Sequence, residues 1–83
     1  MAWDREDLKK AVMAAVDANG GEATIVEVAK HIWTNNEVDL RASGDLFFTW
    51  QYEMRWAAQK LRDDSKLELS TRSGKKTWRK VGA

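Results

Sequence analysis

Eighty-three residues make room for one domain, and the absence of cysteine excludes both a disulfide framework and a thiolate metal site. Such a chain buries only about 60–65% of its unfolded surface, but 43% of its residues are apolar and five are tryptophans; no run of about 18 apolar residues offers a membrane span. The net charge of +1 conceals a division: residues 1–61 hold seven Lys/Arg and ten Asp/Glu, residues 62–83 seven against three.

The start Met1-Ala2-Trp3-Asp4 leads at once into a charged helix rather than a secretory signal, so a cytoplasmic location is expected. Asp4 is the expected N-cap, with Glu6 and Asp7 where the helix dipole favours anions. Leu8, Ala11, Val12, Ala15 and Val16 follow at helical spacing, and Asn19-Gly20-Gly21 closes the helix. Trp3 is either a staple onto this helix or a loose end.

Thr24 and Glu27 form the pattern of a capping box. Val28, Ala29, Ile32 and Trp33 then give a short second helix its buried face, and Thr34-Asn35-Asn36 is expected to end it. Glu37 to Gly44 reads as a polar connection, with Val38 and Leu40 as anchors. A third helix, capped by Ser43 or Asp45, is expected to run to about Arg62. Phe47, Trp50, Met54, Ala57, Ala58 and Leu61 share one sector of its wheel and should face the core. Phe48, Tyr52, Arg55 and Gln59 form a second stripe, with Trp56 beside it.

Asp63-Asp64-Ser65 signals a turn. Leu67-Glu68-Leu69 and Thr77-Trp78-Arg79-Lys80-Val81 alternate as strands do, Trp78 pointing inward. Thr71 to Lys76 is the expected loop, with Gly74 free to take a positive φ. Helix, helix, helix, hairpin is the order of a winged helix-turn-helix. The expected fold is therefore one α+β domain over residues 4–81, three helices followed by a C-terminal β-hairpin wing.

The stretch Trp56-Ala57-Ala58-Gln59-Lys60-Leu61, then Leu67, Gly74 and Thr77-Trp78-Arg79-Lys80-Val81, resembles the N-terminal winged-helix domain of Mrr-type restriction proteins. Gly20-Gly21-Glu22 matches the glycine turn that family places before its second helix. The resemblance covers roughly residues 8–81 through short motifs. It implies DNA binding and places Trp56 in a packed position. The expected role is a small regulator of transcription or the DNA-reading part of a restriction or defence system, and Trp56 is expected in the core, beneath the hairpin. The resemblance does not imply cleavage: in that family the nuclease domain follows the winged helix, outside the residues the resemblance covers, and Asp64-Ser65-Lys66 is expected in a turn without a partner acid.

Residues 71–80 hold five cations and no acid. Arg72, Lys75 and Lys76 are therefore candidate phosphate contacts, extended by Arg79 and Lys80. The competing reading is a hairpin kept soluble, since lysine also protects strand edges. On the third helix Thr49, Gln51, Tyr52, Arg55 and Gln59 are candidates to reach bases or backbone in a major groove. Against that stands a helix whose Phe48 and Tyr52 pack under helix 1 or a dimer partner, and whose Arg55 pairs with Glu53 or Asp45.

His31 stands alone, without a second ligand for zinc. No serine–histidine–acid set is legible, and Gly74-Lys75-Lys76-Thr77 lacks the earlier glycine and the helix of a phosphate loop. The expectation is a non-enzymatic module with no cofactor, no metal and no small-molecule substrate, whose partner is duplex DNA. The alternative is a protein-interaction or homodimerisation domain using Phe48, Tyr52 and Trp56; RNA binding by the same hairpin is a third reading.

Overall fold

A computed structural model describes residues 3–82. The elements are α1 (Arg5–Ala18), β1 (Glu22–Thr24), α2 (Ile25–Arg41), α3 (Asp45–Asp63), β2 (Leu67–Arg72) and β3 (Lys75–Lys80). Three helices and a C-terminal antiparallel hairpin make this a winged-helix fold. No helix among the described residues is long and apolar enough to cross a membrane.

Helix α1 begins as its sequence dictates. The Asp4 carboxylate accepts the Glu6 and Asp7 amides, and Asp7 returns the favour to the Asp4 N–H. At the other end the Gly20 and Gly21 amides reach back to Asp17 and Val16, a closing pattern that needs the left-handed φ of +81° at Gly20. Trp3 is half-buried against the core, its amide donating to Ser43 Oγ at 2.8 Å, so it is no loose end.

Helix α2 departs from expectation. It does not stop at Thr34–Asn36 but continues to Arg41, with non-helical dihedrals only at Asn36 (φ −137°, ψ 19°). The Asn35 and Asn36 side chains donate back to the His31 and Ile32 carbonyls, one turn earlier. Side-chain amides that compete with the backbone bend a helix without ending it. Beyond the kink Leu40 is fully buried and Arg41 pairs with Glu37 at 2.9 Å, which secures the last turn. Val38 is 79% exposed and anchors nothing. The expected polar connection from Glu37 to Gly44 therefore shrinks to Ala42, Ser43 and Gly44.

Neither Ser43 nor Asp45 caps α3. Gly44 holds that position with a φ of +61° and no side-chain bond to the helix. The Ser43 hydroxyl is committed elsewhere, donating to the Asp39 carbonyl as it accepts from Trp3. Along α3 the buried side chains are Trp50, Met54, Ala57, Ala58 and Leu61, as the wheel places them. Phe47 is only half-buried, because it sits at the open end of the α2–α3 seam.

Sheet order is β1-β3-β2, with antiparallel pairing throughout. Strand β1 carries no sequence signal of its own; it is three residues long and pairs Ala23 with Trp78. The hairpin is tighter than expected. Arg72 pairs with Lys75, so the turn is Ser73-Gly74 alone, with φ of +53° and +79°. Two positive φ angles give the turn whose twist suits a hairpin. Ala23, Leu67 and Trp78 face the helices and are buried. Leu69, on the same face but beyond their cover, is 49% exposed.

One continuous core joins α1, α2, α3 and the sheet. Trp50→Ala and Leu61→Ala should each destabilise the domain by about 2–5 kcal/mol. Tyr52→Ala, on a side chain 75% exposed, should change stability by no more than about 0.5 kcal/mol. Chemical denaturation checks all three; a loss for Tyr52→Ala as large as the others would contradict this packing.

Candidate nucleic-acid interface

The five cations of the hairpin divide into two groups once their neighbours are in place. Arg79 sits on the sheet between Glu22 of β1 and Glu68 of β2, in register with both. Its guanidinium binds the Glu68 carboxylate, Nε at 2.7 Å. The Lys80 ammonium pairs with Asp17 at the end of α1, 3.1 Å away. Arg72 binds Glu27 in the first turn of α2. Lys75 and Lys76, at the tip, are exposed and have no ion-pair partner among the described residues.

Glu27 explains why the tip lies where it does. Its carboxylate accepts the Thr24 amide at 2.8 Å, while Thr24 Oγ1 accepts the Glu27 amide at 3.1 Å. The same carboxylate oxygen accepts from Arg72. The helix cap and the wing are thus tied through one acid. Lys30, one turn further along α2, joins Thr24–Glu27, Arg72, Ser73, Lys75 and Lys76 around a cleft of about 690 Å³. It too is exposed, with no acid paired to it among the described residues.

Lys30 also borders a second groove of about 410 Å³, between α2 and α3, where it meets Gln51. Gln51 and Arg55 lie one turn apart on the same side of α3. Arg55 is exposed and pairs with neither Glu53 nor Asp45: Glu53 is taken by Arg5 at 2.7 Å. A stripe therefore runs from Lys75 and Lys76 through Lys30 to Gln51 and Arg55. Lys30 escaped the sequence reading because it is a single cation in an acidic stretch; only the fold brings it to the wing.

The other α3 positions are less free. Gln59 donates to Asp63 at 3.0 Å and accepts from Arg62 at 3.1 Å, so its amide is occupied at both ends. Thr49 Oγ1 turns back to the Asp45 carbonyl at 3.4 Å. Phe48 and Tyr52 are 82% and 75% exposed and pack under no part of α1. Trp56 is half-buried, the Arg5 guanidinium 4.0 Å from its ring centre, so α1 supplies that cover.

The chain matches no protein-family model, no curated protein and no solved structure at a significant level.

The Thr24 amide, and after it the Arg72 guanidinium, hold the Glu27 carboxyl below its ordinary range. A carboxylate with a lowered folded-state pKa lends stability above its unfolded value and loses it as pH falls through the folded one. Arg72→Ala should therefore raise the Glu27 pKa part of the way, the Thr24 bond keeping the rest. NMR titration of the Glu27 carboxyl checks this; an unchanged midpoint in Arg72→Ala would mean the wing is not tied here.

Proposed function

We propose that the domain binds duplex DNA, with α3 in the major groove and the wing tip on the flanking backbone. The observation that carries this reading is the stripe Lys75–Lys76–Lys30–Gln51–Arg55. Its four cations have no intramolecular acid to neutralise them among the described residues, whereas Arg72, Arg79 and Lys80 each have one. Free cations on one face release counterions from a phosphate backbone. Arg and Gln are the side chains that match guanine and adenine edges in a major groove, which is wide enough for a helix. The resemblance to Mrr-type winged helices supports the same reading and extends it to a regulator of transcription or a restriction or defence system.

Within this reading Arg72, Arg79 and Lys80 shape the wing, while Lys75 and Lys76 meet phosphates. A specific observation favours a second reading: Phe48 and Tyr52 expose two rings side by side on α3. Contiguous exposed apolar surface marks protein contacts, so a second copy or a protein partner is the alternative occupant.

Replacing Lys30, Lys75 and Lys76 together with Ala should weaken binding to every duplex alike. It should also make the dependence of log K on log salt shallower by roughly two to three units. Fluorescence anisotropy across a salt series reads both. A folded triple variant with wild-type affinity and slope would contradict the interface. If the wild type ignores DNA and Phe48→Ser abolishes self-association in sedimentation, the second reading replaces the first.

A further inference from the structure

The groove between α2 and α3 has a floor that phosphate contact does not require. Trp33 stacks on Trp50, with centroids 6.1 Å apart and planes within 9°. Phe47 lies tilted beside Trp33 at 6.4 Å, and Phe48 meets Phe47 edge-on at 5.0 Å. Four rings thus run from the core, where Trp50 is 6% exposed, to the surface at Phe48. The groove's volume of about 410 Å³ falls in the range of clefts for small organic groups, about 300–1,000 Å³.

Its border is cationic and polar. Lys30 and Gln51 line it and no acid does among the described residues; the Arg41 guanidinium, its charge taken by Glu37, lies 5.2 Å from the Trp33 ring and 5.5 Å from Phe47. The matching ligand has a flat apolar face, a hydrogen-bonding edge and a negative charge. A nucleotide joins all three. In a paired duplex both faces of a base are covered by its neighbours, so only an unpaired base can present one.

From these observations we infer that the α2–α3 groove is a stacking site for an unpaired nucleobase. The rings of Trp33 and Phe47, which line it, supply the platform. Gln51 offers its amide donor and acceptor to the base edge, and Lys30 meets the adjoining phosphate. The inference rests on the nucleic-acid reading above and adds a ligand class to it. An acidic peptide with an aromatic anchor would satisfy the charge. The base is favoured because the ring run continues past the groove to Phe48, where a second base can stack.

The test compares three labelled probes at fixed low salt: a short paired duplex, that duplex with one unpaired adenine bulged from its centre, and a short oligoadenylate. The bulged duplex should bind about tenfold tighter than the paired one, the scale of one base–aromatic stack. Trp33→Ala should erase that preference; because Trp33 packs on the core, its folding is checked by circular dichroism. Phe47→Ala removes a half-buried ring that lines the groove and keeps the test decisive if Trp33→Ala does not fold. It should remove the preference while paired-duplex affinity stays within about twofold. Equal binding of bulged and paired duplexes, or a preference that survives Phe47→Ala in a folded variant, overturns the stacking site and leaves the duplex reading standing. Loss of all binding to every probe would overturn both. Capture of an acidic tryptophan-containing peptide in place of the oligoadenylate would assign the groove to a protein partner and overturn the inference.

Discussion

Strand β3 is paired along both edges, and that double pairing decides where the basic hairpin can lie. On one side it meets β2 through a two-residue turn; on the other it meets β1, more than 50 residues earlier in the chain. The Gly21 carbonyl extends the second pairing by accepting the Lys80 amide at 2.7 Å. Trp78, at the centre of β3, is buried against the helices and stands opposite both Ala23 and Leu69. The C-terminal strand therefore cannot swing as a free arm. It brings its cations to fixed places beside α1 and α2, and the electrostatics of the face follow from those places.

Those places sort charges that look alike in the sequence. A cation opposite an acid across a sheet holds the sheet together. One beyond the last acid is left for a partner. Surface ion pairs contribute little stability each, but they consume charge that would otherwise attract a polyanion. Glu27 has a double part: it closes the cap of α2 and takes Arg72, so the wing tip sits beside Lys30. The four cations of the stripe stand in a molecule whose other residues carry ten Lys/Arg against thirteen Asp/Glu, so the net charge is only +1.

Much of the fold was legible because local chemistry and packing agree. Asp4 and Gly20-Gly21 bracket α1 with a start and a stop, and five apolar residues between them keep helical period. The same holds for Thr24 and Glu27 at the head of α2, and for the inward stripe of α3. What misled was chemistry that is not unique to one outcome. Asn35-Asn36 carries the composition of a helix end, yet the side chains bond one turn back and α2 resumes. Ser43 has the right hydroxyl for a cap, but Trp3 and Asp39 claim it. Strand β1 has three residues and no period to read; it exists because β3 has an edge to fill. The site was legible only in outline. The cations of residues 71–80 are evident as a cluster, but their acids lie 11, 45 and, for Lys80, more than 60 positions away. No local pattern reveals such pairs, or Lys30 as a neighbour of the wing.

The account turns on which face a duplex meets. An NMR titration with mixed-sequence duplex DNA at low salt tests that most directly, because each backbone amide reports its own surroundings. The amides of Lys30, Gln51, Arg55 and Ser73 to Lys76 should move together, while those of α1 from Lys9 to Asp17 stay in place. Shifts concentrated on α1, or none at all, would contradict the assignment of this face to DNA.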